Sequence, residues 1–196
     1  MLGEGQASYE HLTITELPNG RQTVASSWVM GTEQSAVARS EFGVWVVDNV
    51  VSDLVAPGDT YLYLGAGWDG ADQDNRVEAA RVSAGGELEA FSDDPTAADI
   101  IADFSSTRIG YGTAAAAGRL FVFGGLASLV AENATAAEIV DPAPELRNNS
   151  WNNEGLTMTS PRYRFGSAIQ SAFIFLVGGQ TSAADGATTS TEWVVW

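Results

Sequence analysis

Lysine and cysteine are absent from this chain of 196 residues, and histidine occurs once, as His11. Without cysteine there are no disulfides, thiolate metal sites or cysteine nucleophiles, and the redox compartment cannot be read. A single histidine, lying in a predicted strand over residues 11–15, builds neither a Ser-His-Asp triad nor a multi-histidine metal site. Basic charge is scarce: nine arginines face 25 acids, a formal net charge of −16. Phosphate backbones are repelled by such a chain, so nucleic-acid binding and a polybasic membrane anchor are excluded as readings, whereas solubility and a cation-attracting surface fit. No apolar run approaches the roughly 18 to 20 residues of a membrane-spanning helix. The first six residues, Met-Leu-Gly-Glu-Gly-Gln, have neither a basic nor an apolar leader region, so the expectation is that no signal peptide was made or that one has been removed.

Strand chemistry is what the chain has in quantity. Residues 61–64, 120–123 and 173–177 are aromatic and β-branched runs, each closed by glycine. Helix signals are few: residues 95–104 read as one short turn in a loop. Residues 114–117, four alanines, fall in a strand by register despite their helix propensity.

A repeat organises these strands. Arg-x-x-aromatic-Gly occurs at Arg39 to Gly43, Arg108 to Gly112 and Arg162 to Gly166. Twelve residues beyond Gly112 and Gly166 come the pairs Gly124-Gly125 and Gly178-Gly179; the first copy has Gly65-Ala66 instead, with a ten-residue insertion. An acid follows, 13 residues after Gly125 and Gly179, as Glu138 and Glu192, with Glu78 in the first copy. A large aromatic comes 13 residues after the acid, Trp151 and Phe91, and the order of Trp28 and Glu10 suggests a partial copy at the start. A four-strand unit of this length, with paired glycines ending its second strand, is expected to be one blade of a propeller.

The order Arg-x-x-aromatic-Gly, strand, Gly-Gly, Glu, Trp resembles the kelch repeat over nearly the whole chain. The tyrosine that usually stands two positions after the kelch glutamate is replaced by Ala80, Val140 and Val194. The resemblance implies an all-β fold of kelch-like β-propeller blades, an incomplete ring within one chain. Residues 1–196 would form one domain, with repeats at about 1–38 (partial), 39–107, 108–161 and 162–196 (partial). It also implies that the repeated Arg and Glu bond backbone or each other between blades. Paired glycines would allow positive φ and close approach of the next blade, and Trp28, Phe91 and Trp151 would fill wedges between blades.

Candidate chemistry is thin. Copper-radical oxidases of the propeller class need a cysteine crosslink and histidine ligands, and sialidase propellers need Asp-box turns; neither set is present. Among 25 acids, carboxylate pairs are too common to signify glycoside hydrolysis. The densest cluster is Trp68, Asp69, Asp72, Asp74 and Asn75, hard oxygen donors beside an indole. Calcium ranks there second to a solvated acidic turn, because the spacing misses the EF-hand loop. Trp68 reads as inter-blade packing first and as a glycan or peptide platform second. Two insertions, residues 47–60 and 91–106, are read as long loops able to carry binding, the first unusually apolar. Asn133-Ala-Thr and Asn148-Asn-Ser fit the glycosylation pattern.

The expectation is therefore a non-catalytic interaction module, structural or adhesive, in an extracellular or surface assembly, with no cofactor and no catalytic residues. Its partners would be proteins or further copies completing the propeller. A glycan-binding or glycan-processing propeller is the alternative.

Overall fold

Alternating apolar residues, glycine-punctuated turns and a near absence of helix formers at periodic spacing leave antiparallel pairing as the way to satisfy this backbone. The computed structural model describes residues 6–12, 14–24, 27–52, 55–92, 103–116, 119–126, 136–140, 151–181 and 187–195. Among them there is no helix, and thus none long and apolar enough to cross a membrane. The strands are β1 (Gln6–His11), β2 (Ile14–Glu16), β3 (Gln22–Val24), β4 (Val29–Arg39), β5 (Gly43–Ser52), β6 (Val55–Trp68), β7 (Gln73–Val82), β8 (Gly112–Ala116), β9 (Arg119–Phe123), β10 (Ala136–Val140), β11 (Asn152–Thr157), β12 (Gly166–Gln170), β13 (Phe173–Val177) and β14 (Thr191–Val195).

They form small antiparallel sheets in blade-like succession, none closed into a barrel: β1 with β4, β5-β6-β7, β8-β9-β10-β11 and β12-β13-β14, with β2 and β3 as a separate hairpin. Registers repeat from sheet to sheet. Glu78 stands opposite Leu64, Glu138 opposite Val122 and Glu192 opposite Leu176. In the first sheet Glu10 pairs with Met30 and His11 with Val29, just as Glu138 pairs with Asn153 and Ile139 with Asn152. The fourth place beside β7 is opened by Ser92, which bridges Ala79.

Two apolar layers lie between consecutive sheets. Trp45, Tyr61, Tyr63 and Val77 of the second sheet pack on Leu120, Val122 and Trp151 of the third, with Phe104 and Tyr111 between them. Phe121 and Phe123, from the other face of β9, pack on Ile174 and Leu176 of the fourth sheet. Because side chains alternate along a strand, β9 feeds both layers with successive residues.

Three expectations change. The first copy's counterpart of the glycine pair is Ala66-Gly67, not Gly65-Ala66. Gly43 pairs with Gly65 as Gly112 does with Phe123, and the residues at positive φ are Ala66 (49°) and Gly67 (107°), matching Gly124 (58°) and Gly125 (86°). Of residues 47–60, expected as a loop, the described ones, 47–52 and 55–60, extend the pairing of β5 with β6, with Val50 opposite Asp59 and Ser52 opposite Val55. Trp28, expected in a wedge, is 63% exposed, whereas Trp151, packed on Trp45 of the preceding sheet and on Phe104, is 6% exposed; among the described residues no sheet precedes Trp28 to cover it in the same way. Residues 114–116 are strand, whereas the proposed turn at 95–104 lies outside the described residues up to 102, and Phe104 is buried without helix. Asn133 and Asn148 lie outside the described residues.

Candidate functional site: the junctions between sheets

Each repeat landmark has a place at a junction. The arginine side chains are buried, and their Nη1 groups donate to the carbonyl of the first positive-φ residue after the second strand. Arg39 reaches Ala66 O at 3.1 Å, Arg108 reaches Gly124 O at 2.8 Å and Arg162 reaches Gly178 O at 3.0 Å. These carbonyls are turned away from the ladder by the left-handed residues and would otherwise be buried without a donor.

The glutamates tie each sheet to the strand before it. Glu78, fully buried, accepts from Arg39 Nη2 at 2.7 Å and from the Ala36 amide of β4 at 3.2 Å. Glu192 accepts from Arg162 and from the Thr159 and Ser160 amides that follow β11. Ala36 and Thr159 both lie three residues before the repeated arginine, so the same latch is built twice. Glu138 holds its register in β10, but its side chain lies outside the described ones.

The aromatic-Gly dipeptide is the joint itself. Tyr111 lies over Gly43: its hydroxyl accepts from the Gly43 amide at 2.7 Å and donates to Gly65 O, and a Cβ at Gly43 would sit 2.6 Å from Thr113 Cγ2. Burial pushes the Tyr111 phenol well above its usual pKa, keeping it a donor. Phe165 lies over Gly112, where a Cβ would come 2.9 Å from its Cζ. Above the joint, Gly67 donates to Arg108 O and Gly125 to Arg162 O, each at 2.9 Å. Glu41, Gly110 and Arg164, the third residues of the three motifs, share positive φ and form a row. Gly110 N donates to Glu41 O and Arg164 N to Gly110 O, while the Arg164 guanidinium pairs with the Glu41 carboxylate at 2.6 Å across Gly110. That bond raises the arginine's pKa. Nothing in the sequence reading singled out Glu41 and Arg164; their shared motif position was the available signal.

The acidic cluster is tied into this framework by its hydrogen bonds. Asp69 Oδ1 accepts from the Ala71 and Asp72 amides, which lowers its pKa. Burial raises the pKa of Asp74, yet its hydrogen bonds from Arg76, followed by the charges of Arg76 and Arg39, outweigh that and lower it overall. Asn75 spends its side-chain amide on Phe104 O at 2.9 Å. Asp72 is exposed. Trp68 bridges Ser40 through its backbone and packs its ring against Ile109, Leu126 and Tyr163. Among the described residues, no group of three or more His, Asp or Glu side chains is placed to hold a metal ion.

At Gly166 the joint is open. A Cβ there would meet only Val177 O, at 3.9 Å. Phe173, Val177, Trp193 and Val195 are exposed on the same outer face of the last sheet, Trp193 by 61%. At the opposite end Phe42, Val44 and Val46 are also exposed.

No family model matches the chain, and no curated protein matches it. Among solved structures, that of YjhT is similar, with a TM-score of 0.50 and 12% identity over 86% of this chain and 54% of YjhT. The chain therefore spans about half the length of that structure. At this identity the likeness is one of fold alone.

Proposed function

We propose that the chain is a non-catalytic, kelch-like propeller module that acts by docking, as a structural or adhesive component of an extracellular or surface assembly. The observation that carries this reading is the open joint on the last sheet. Its outer face repeats the chemistry of two filled joints, glycine in the first strand and large apolar residues in the second, yet leaves Trp193 and Phe173 in water. A contiguous apolar face on a sheet whose β14 edge has no pairing strand among the described residues is a surface suited to a partner. The repeated arginines, with Glu78 and Glu192, spend their polar groups on latching strands, which supports a structural role for them.

A glycan array run beside a hydrolysis screen tests the reading, with Trp68→Ala and Trp193→Asp as comparison chains. No specific sugar signal and no turnover are expected. Specific glycan binding abolished by Trp68→Ala would transfer the function to the sugar-binding alternative.

A further inference from the structure

We propose that the β2-β3 hairpin is a processing site, cut between Arg21 and Gln22 by an arginine-directed endoprotease of the trypsin class. The proposal goes beyond the docking reading and stands independently of it.

A protease of this class seats a basic side chain in a pocket with a carboxylate at its base and holds the flanking residues as a single extended strand. The chain has no lysine, so only its nine arginines meet that requirement. Six of them are held by the fold. Arg39, Arg108 and Arg162 are buried, with their guanidinium groups on the carbonyls of Ala66, Gly124 and Gly178. Arg76 and Arg81 lie in β7, paired with Asp74 and with Asp59 and Glu89, and Arg164 is paired with Glu41. The side chains of Arg119 and Arg147 lie outside the described ones.

Arg21 differs in both side chain and backbone. It is exposed, and its guanidinium makes no hydrogen bond or ion pair with another described residue. Its amide donates to Asn19 Oδ1 at 3.0 Å and its carbonyl accepts from Leu17 N at 2.7 Å. Residues 14–24 are all exposed, and the three-residue strands β2 and β3 pair only with each other. A two-stranded hairpin of this size has little stability of its own, so it opens locally while the junctions between sheets stay closed. Asn19, Gly20, Gln22 and Thr23, the residues flanking the bond, are uncharged in a chain with 25 acids, and none of them is proline. In the cut, water adds across the Arg21-Gln22 peptide bond, leaving a carboxylate on Arg21 and an amino group on Gln22. The registers of β1 with β4 and the Arg39-Glu78 latch lie outside the hairpin.

Digestion of the folded chain with trypsin, read by mass spectrometry as the rate of cutting at each arginine, tests this. Cutting after Arg21 should be at least about 100-fold faster than after Arg39, Arg76, Arg81, Arg108, Arg162 or Arg164, because proteolysis follows the population of the opened form. Arg21→Gln should abolish that cut and Arg21→Lys should keep it, whereas in the heat-unfolded chain the seven rates should converge. A rate at Arg21 no greater than at any of the six overturns the proposal, as does a preference for Arg21 that persists at full strength after unfolding, since local sequence would then account for it. Either result leaves the docking reading standing, which falls on the glycan screen.

Discussion

Gly112 and Gly166 hold the same position in successive repeats and pair in the same way with the second strand of their sheets, opposite Phe123 and Val177. One lies under Phe165 with its neighbours closed around it; the other has no sheet packed against it among the described residues. The difference lies in what stands beside them, since the motif is the same. A glycine that is obligatory at a filled joint is an ordinary strand residue at an open one, and an aromatic that is core in one repeat is surface in another. Substitutions at paired positions therefore read the joint directly, provided unfolding is measured in dilute solution where association adds nothing.

The widest gap is expected between the two tryptophans at the start of fourth strands. Trp151 packs against Trp45 at a centroid separation of 5.8 Å and against Phe104 at 4.4 Å. Trp151→Ala should cost about 3 to 5 kcal/mol in urea unfolding, the range for emptying an aromatic site in a core. Trp28→Ala, at an exposed position, should stay within about 0.5 kcal/mol. Equal losses at the two would mean that Trp28 is covered within the single chain.

Glycines come next. Gly124→Val places a β-branched residue at a φ of 58° and drives its Cβ into Arg162 O of the next sheet, so it combines strain with overlap. A loss of about 2 to 6 kcal/mol is expected, from strain of roughly 1 to 3 kcal/mol added to overpacking of similar size. Gly112→Ala should also destabilise, whereas Gly166→Ala should not. Thermal melts of the three chains rank them, and a Gly166→Ala chain as damaged as Gly112→Ala would remove the comparison altogether.

Tyr111 and Phe165 sharpen the same contrast at the scale of one atom. Tyr111→Phe keeps the ring over Gly43 but strips a buried amide and a buried carbonyl of their shared partner, an effect of about 1 to 3 kcal/mol. The Phe165 joint works without a hydroxyl, so the loss at Tyr111 should come from the orphaned groups and leave packing unchanged. A near-zero effect would show that water replaces the phenol.

What the sequence made legible was whatever depends on spacing. The register of the glutamates, the aromatic-Gly joints and the strand character of Ala114 to Ala116 all follow from fixed intervals, because antiparallel pairing converts an interval into a position opposite a particular partner. The first copy's left-handed pair was misplaced by one residue because Gly65 invites the pairing with Ala66; only the register opposite Gly43 shows that alanine itself takes the left-handed conformation. The long β5-β6 hairpin looked like a loop because an insertion has no counterpart to be aligned with. The Glu41-Arg164 pair joins residues 123 apart through a neighbour in the middle repeat, and such a contact is created by the succession of sheets, not by any local pattern.

A smaller effect separates Asp74 from the exposed acids. Its folded pKa is held below 3.8, the ordinary value for an aspartate, so its contribution to stability is complete above that value and is lost as pH falls through the lower, folded one. Asp74→Asn should therefore narrow the difference in unfolding midpoint between pH 5 and pH 3. An unchanged acid profile in that chain would assign the acid sensitivity to other carboxylates.

The smallest expected effect is that of calcium on the loop carrying these acids. A structural ion needs several oxygens free to turn toward it, and in a site of this kind occupancy far above Kd would add several kcal/mol by mass action. Here Asp69 already receives two backbone amides, Asp74 is bonded by Arg76 at 3.0 Å and faces Arg39 at 3.8 Å, and the Asn75 amide is bound to Phe104 O. Recruiting Asp69 or Asp74 would break contacts that hold the turn, so the ion would have to repay what it displaced. Millimolar Ca²⁺ should thus shift the melting temperature by no more than about a degree, the small change left once any gain is offset in this way. A rise of several degrees that vanishes in Asp72→Asn would show that the loop rearranges around the ion, and that its acids are ligands held in reserve by the hydrogen bonds they make without it.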